Sequence, residues 1–370
     1  MENNPSGEII ETDIAIIGGG SAGITLASQL SQHSAVVIEP KTPAERDACW
    51  ALWATSDQKN KLQSAIKGRW NQWRLVDHNQ EIVHRSHQYD YISLSSADYL
   101  SACEMSLSTN VKLVRASAEN ISPQGHGGSF SALGENYHAN YIYDSRPPTV
   151  SKAGLKQHFF GIEIRTKQPL NAPDIATLMD FRVDQSRGLH FIYALPFSDQ
   201  QLLIESTMIS QTVEPEDWYR QAIDQWLNNQ GIEIKHIVRQ ESGVIPMHST
   251  VPVDPDMVSI GAASGAVRQS SGYAFTSIQS QISQLVCGIE KGEFEVPKPI
   301  SNRLNYLDKL FNGVLVAEPN LAVTLMMQTA KSLSPEGFAR FMLGKATLLD
   351  WARVILAMPK IPFIKQVLKQ

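Results

Sequence analysis

Apolar positions open the chain in a strand, turn and helix pattern. Residues 13–17 carry the run Ile14-Ala15-Ile16-Ile17, three glycines follow at 18–20, and apolar residues recur at helical spacing from Ser21 to about Ser31. A second apolar run at 35–38 completes a strand–helix–strand opening. Between about residues 142 and 249 the pattern changes to short alternating runs, such as 190–194 and 201–206, which predict antiparallel strands. A second sheet that carries substrate is the natural expectation. The tail reads helical, with Phe338, Phe341 and Met342 at helical spacing, then Leu348, Leu349, Ala352, Ile355 and Leu356, before Pro359 and Pro362 break the pattern. The expected fold class is therefore α/β, a Rossmann-like domain interleaved with an antiparallel-sheet domain and closed by a helical C-terminal region.

Composition narrows the functional classes. The 370 residues are 42% hydrophobic and 19% charged, ordinary for a globular chain with a sizeable core. A net charge of -5 does not point to nucleic acid, whose phosphates are met by a basic face. Charge is uneven: residues 301–370 hold nine Lys/Arg and four Asp/Glu, +5 in all, which leaves -10 for residues 1–300. Cys49, Cys103 and Cys287 are too scattered for a thiolate metal site and fit a reducing compartment. Residues 1–12 are polar and acidic, without a signal-peptide pattern, and no run of about 18 apolar residues is present. A cytosolic protein, or one lying on a membrane surface, is expected.

Gly18-Gly19-Gly20-Ser21-Ala22-Gly23 satisfies G-x-G-x-x-G at the strand-to-helix turn, where missing side chains let backbone N–H groups approach a pyrophosphate. The candidate cofactor contacts here are Gly18, Gly20, Ser21, Ala22 and Gly23. Glu39 ends the second strand 21 residues after Gly18, where a carboxylate would accept hydrogen bonds from a ribose. Together they argue for a dinucleotide, without choosing FAD over NAD; the plainer alternative is a tight turn and a solvated strand end. A later segment, with Gly261 and Gly265 in 258–266 and then Ser271-Gly272-Tyr273, suits close approach to a flat ring or phosphate, or equally a close helix–strand crossing.

Among acids, Glu205 ends the apolar run Leu202-Leu203-Ile204, where desolvation would keep its carboxyl protonated and able to act as a general acid. Its plainer alternative is a side chain pointing into water or paired with a base. Asp180, in Met179-Asp180-Phe181-Arg182, and Asp144, in Asp144-Ser145-Arg146-Pro147, are further carboxylates that suit turn caps or local ion pairs. Trp50, Trp53, Trp70 and Trp73 crowd one region and either line a channel for a conjugated chain or pack a core. The histidines show no metal-ligand spacing, so no metal is expected, and no G-x-S-x-G elbow offers a hydrolytic serine.

Taken in order, Gly18 to Gly23 with Glu39, Asp144 to Pro147, Gln157-His158-Phe159-Phe160-Gly161, Met179 to Gln185, Tyr193-Ala194-Leu195-Pro196-Phe197, Leu202 to Thr207, Gly243-Val244-Ile245-Pro246-Met247, Ser271-Gly272-Tyr273-Ala274 and the tail from Arg340 to Pro362 resemble the bacterial flavin-dependent lycopene beta-cyclases. The resemblance implies an aromatic-hydroxylase-like flavoprotein fold, FAD as cofactor, reduced by NADPH, and redox-neutral closure of beta-rings on lycopene. It puts Glu205 at the family's acidic catalytic position, as proton donor or partner in proton transfer with reduced flavin as charge stabiliser or the acid itself, and it gives Asp180 as a second catalytic candidate and Gln157 and Met179 at further motif positions. Gly261, Gly265 and Gly272 would join the cofactor site, and the enzyme would be cytoplasmic and peripheral to a membrane. The domains expected are an FAD-binding part over 1–75, 98–150 and 245–300, a substrate part over 76–97 and 151–244, and a helical region over 301–370. Two elements depart from the family: Ala48-Cys49-Trp50 stands where His-x-Trp is frequent, and Gln269-Ser270-Ser271-Gly272-Tyr273 where Pro-Thr-Thr-Gly-Tyr is frequent. These departures leave open another polyene or terpenoid as substrate. An FAD monooxygenase and a non-enzymatic carotenoid-binding protein are the remaining alternatives.

Overall fold

The computed structural model describes residues 8–369; residue 370 and the first seven residues of the polar N-terminal segment lie outside them. The strand Ile9–Ile17 pairs in parallel with Ala35–Ile38 on one side and Glu135–Asp144 on the other, and Val111–Val114 and Val258–Ser259 extend the parallel sheet outward. Ile14, Ile16, Val37 and the helix residues Ile24 and Leu26 share one core, each burial worth roughly 1.5–3 kcal/mol. A meander of Glu119–Gln124 and Gly127–Ala132 continues the sheet antiparallel.

The first helix is shorter than the periodicity predicts. It spans Gly23–Gln29, because Leu30 turns to an extended conformation while staying buried, so its apolar position served the core without being helical. The helix Glu216–Gln230 lies in a stretch the sequence assigned to strands; its buried face is Tyr219, Ile223, Trp226 and Leu227, and Gly231 closes it at φ 66°.

The second sheet runs in the order Ile234–Pro246, Lys156–Thr166, Gln201–Ser210, Leu189–Ser198, Ile175–Asp180, Gln72–Val76 and Glu81–Arg85, and only the Ile175–Asp180 to Gln72–Val76 pairing is parallel. Period-2 alternation divides its residues between two cores. Ile192, Ala194, Leu202, Ile204 and Met208 pack on the helix Glu216–Gln230. Leu189, Phe191, Leu195, Leu203 and Ile209 face the other way, towards the C-terminal helices. Cys49–Ala54, Asp90–Ser95 and Ile66–Trp70 form a small third sheet between the two large ones.

Five helices close the molecule: Asn302–Ala317, Ala322–Ser332, Pro335–Met342, Leu348–Ala357 and Lys360–Val367. The expected break at Pro359 is real, but Pro362 does not interrupt the chain: it sits in the first turn of the last helix, where a missing N–H costs nothing. Among the described residues no single helix is long and apolar enough to cross a membrane.

Candidate functional site

The glycine turn leaves the parallel sheet between its two central strands. Gly18 adopts φ 97°, and a side chain on Gly23 would put its Cβ 2.0 Å from the Gly18 carbonyl oxygen, so neither position admits another residue without rebuilding the turn. A Cβ on Gly20 would meet nothing within 4 Å: the turn opens there onto free space. Glu39 is folded back on the turn, its Oε2 accepting from the Gly19 N–H at 2.8 Å, with the Arg46 guanidinium 3.3 Å away and also on the Gly19 carbonyl at 2.7 Å. Ser145 Oγ accepts from the Gly23 N–H at 3.0 Å, which ties Asp144 to Pro147 to the same place. Gly261, at φ 66°, lies against Ala22, where an added Cβ would stand 2.6 Å from the Ala22 Cβ, and Gly265 closes the short turn behind it at φ 87°.

From this turn a cavity of about 450 Å³ runs to the second sheet. Ser21, Pro147, Ala262 and Gly272 wall its near end, and Tyr193, Glu205 and Thr207 its far end. The structure thus brings the glycine segments and Glu205 to one void. Trp50 and Trp53 also line it, whereas Trp70 and Trp73 are buried behind the wall.

Sheet register explains the surroundings of Glu205. Its neighbour on one strand is Tyr193 and on the other Gly161, whose far neighbour is Glu241. Gly161 has no side chain, and a Cβ there would lie 2.7 Å from the Glu205 Cγ; Glu205 leans across the gap between the two carboxylates. Burial, and after it the charge of Glu241, push the Glu205 carboxyl well above the ordinary carboxylate range. The 8% of its surface that stays open faces the cavity. Glu241 accepts from Arg239 at 3.1 Å and from the Cys49 N–H at 3.0 Å. Arg239 also holds Glu163 at 2.8 Å, and Lys67 contacts the same carboxylate. Burial, with Glu241 second, pushes the Cys49 thiol up to about 12, so it is a neutral wall rather than a nucleophile.

Above Glu205 the hydroxyls of three tyrosines meet. Tyr91 is 2.8 Å from Tyr193 and 3.0 Å from Tyr273, oxygen to oxygen, and the Trp53 ring packs on Tyr91 and Tyr273 with centroids 4.7 and 5.3 Å apart. Burial raises all three phenols, so each is a neutral hydroxyl on an aromatic face.

Asp180 is not brought to this void. Met179 lines the cavity, and the next residue along the strand points to the opposite face, where Asp180 accepts from Arg182 at 2.8 and 2.6 Å and from the Trp226 indole at 3.0 Å. Burial opposes its charge, but these bonds outweigh it and hold the carboxyl below the usual range. Asp144 and Arg146 repeat the arrangement at 2.9 and 2.7 Å. Tyr91, Arg239 and Glu241 were not singled out from sequence, and Tyr273 was noted only as a member of the segment Ser271-Gly272-Tyr273. Their signal is a strand register spread over almost 200 residues, which periodicity along one segment does not carry.

A second cavity, of about 480 Å³, lies beneath the C-terminal helices. Leu75, Gln157, Met179, Ser271, Phe338 and Met342 line both.

Comparison with known proteins agrees with this architecture. The chain is 23% identical, over 95% of its length and 95% of the relative's, to a lycopene beta-cyclase of Pseudescherichia vulneris. Among solved structures, a geranylgeranyl bacteriochlorophyll reductase-like protein from Thermoplasma acidophilum superposes with a TM-score of 0.63 at 12% identity, covering 98% of this chain and all of that one. The halogenase PltM, solved with phloroglucinol and FAD, gives 0.58 at 13% identity over 93% of this chain and 90% of that one. At such identities these likenesses show the fold, that of the flavoprotein reductases and halogenases. The sequence profile described as "Lycopene cyclase protein" matches residues 13–368, and the chain belongs to that family.

Proposed function

We propose that this protein closes beta-rings on the linear ends of lycopene with FAD bound at the glycine turn, and that Glu205 is the acid. The observation that carries the reading is the convergence of the open glycine turn and a buried carboxyl, Glu205, on one apolar cavity, where burial raises its pKa. The turn suits the cofactor: space at Gly20 for a pyrophosphate, Glu39 for a ribose, Gly261 as a backbone-only wall against Ala22, and Gly272 as another beside Gln157 and Ile245. FAD held there and reduced by NADPH would supply negative charge to stabilise a passing carbocation. Glu205 gives its proton to the terminal double bond of the polyene, a second double bond closes the ring on the resulting cation, and the Glu205 carboxylate takes back the proton that the ring loses, so atoms, charge and redox level balance. Trp53, Tyr91, Tyr193 and Tyr273 present aromatic faces to that cation. Asp180 acts at one remove, by fixing the strand end from which Met179 enters the wall.

The exposed apolar residues of the last helices, among them Leu348, Leu356, Ile361 and Leu368, lie close in sequence to Lys345, Arg353, Lys360 and Lys365, a pattern that suits an anionic membrane surface from which a hydrocarbon substrate is drawn. The two large sheets divide the work, the parallel one holding the cofactor and the antiparallel one the substrate.

The test is anaerobic incubation of the purified protein with FAD, NADPH and lycopene-loaded vesicles, with carotenoids separated by chromatography. Cyclised product without net oxidation is expected, lost in Glu205→Gln with FAD still bound and partly kept in Glu205→Asp. Full activity of Glu205→Gln overturns the acid's assignment. Unchanged lycopene with FAD bound and reduced moves the substrate to another polyene.

A further inference from the structure

The two cavities differ in what they offer a ligand. The first has the size of a compact ligand pocket and must take both a flavin ring and a reacting chain end, so the rest of a long linear polyene has to lie elsewhere. The second shares six wall residues with the first, so the two adjoin, and Gln157, Met179 and Phe338 form the neck between them. Its walls are apolar, with Phe311, Val354, Met358 and Phe363 among them. The charged groups that reach it are already satisfied: Asp308 accepts from Arg268 at 3.3 Å and from the Ser270 hydroxyl at 2.7 Å, and Arg268 donates to the Met342 carbonyl at 3.1 Å. The polar groups that remain are few, Gln157 and Ser271 at the neck and Lys360 at the outer mouth, so most of the wall offers only apolar contact. What fits is a hydrocarbon chain continuous with the one in the first cavity.

We propose that the cavity under the C-terminal helices is the distal half of a single substrate tunnel and holds the far part of the polyene whose near end lies at Glu205. This rests on the reading of the first cavity as a polyene cyclisation site. The outer mouth lies among Ile355, Ile364 and Leu368, all exposed on the tail, so the chain threads from the helix face through the neck to the acid.

Two measurements on the full-length protein loaded with FAD test it. Val354→Phe and Ile355→Trp fill the distal cavity far from the acid. Each is expected to lower kcat/KM for lycopene about tenfold, while turnover of a truncated polyene with the same end group, short enough to stop at the neck, stays within about twofold. Equal loss on both substrates, or none on either, overturns the tunnel. The second measurement does not depend on chemistry. Trp351 lines the distal cavity, so bound lycopene is expected to quench its fluorescence, read as the difference between the parent protein and Trp351→Phe, and to do so equally in the Glu205→Gln background. Quenching without cyclisation keeps the tunnel and removes the catalytic reading. No quenching of Trp351 by lycopene, or quenching only by vesicles of brominated phospholipid, overturns the tunnel in favour of an empty or acyl-filled space.

Discussion

Gly161 makes the acid what it is. Any side chain there would occupy the space into which Glu205 leans, so Gly161→Ala is expected to displace the carboxyl, lower cyclisation sharply and cost about 1–3 kcal/mol of stability, with FAD binding unchanged. Activity assays beside flavin absorbance and thermal melts separate these effects. The groups facing Glu205 are Tyr193 from its neighbouring strand, Tyr273 from the glycine segment, Cys49 from the small sheet, and the Arg239–Glu241 pair across Gly161. An acid that works protonated stays active until pH rises through its raised pKa. Glu241→Gln removes a neighbouring negative charge, so the alkaline limb of the kcat profile is expected to move to lower pH; an unmoved limb denies the coupling. The same shift has a stability sign. A group whose folded pKa is raised stabilises the fold at low pH and loses that contribution as pH rises through it, so Glu205→Gln is expected to melt higher than the parent at alkaline pH. From sequence, Glu205 was legible because it ends an apolar run. Glu241 and Tyr91 were not, because their meaning lies in cross-strand register, and Tyr193 and Tyr273 were noted only within motif segments. Asp180 read from its own residues as a turn cap or local ion pair and as a catalytic candidate only through the resemblance; it pairs with Arg182, because in a strand one residue's offset decides between cavity and core.

At the scale of elements, the strand–helix–strand opening and the alternating strands were readable because their periods are unbroken over several residues. The helix Glu216–Gln230 was hidden among strands, and Leu30 was counted as helical because burial, not conformation, set its apolar character. In the tail, two short helices are joined by one ion pair: Asp350 accepts from Arg340 at 3.0 Å through both oxygens and caps its own helix through Thr347. Burial opposes the Asp350 charge, but Arg340 and Thr347 prevail and bring its pKa from 3.8 to about 2. The stability it adds is present above pH 3.8 and lost as pH falls towards 2. Asp350→Asn is expected to cost about 1–3 kcal/mol near neutral pH and much less near pH 2, measurable by denaturant titration at the two values.

At the scale of the molecule, both large sheets and the helical tail contribute to the wall of the first cavity, and the family resemblance was readable because its pieces lie in order along nearly the whole chain. The tail's outward Leu348, Leu356, Ile361 and Leu368 are a face the fold leaves uncovered. Replacing Leu356 and Leu368 with Ser is expected to weaken flotation with anionic vesicles severalfold while flavin binding stays intact, whereas unchanged flotation would remove the membrane from the reading. The helices that present this face are also those that roof the distal cavity. If substrate enters through them, it never passes through water, and the enzyme responds to the mole fraction of polyene in the bilayer rather than to its bulk concentration. Diluting the same lycopene into more lipid would then slow turnover at constant total substrate, the signature of surface dilution.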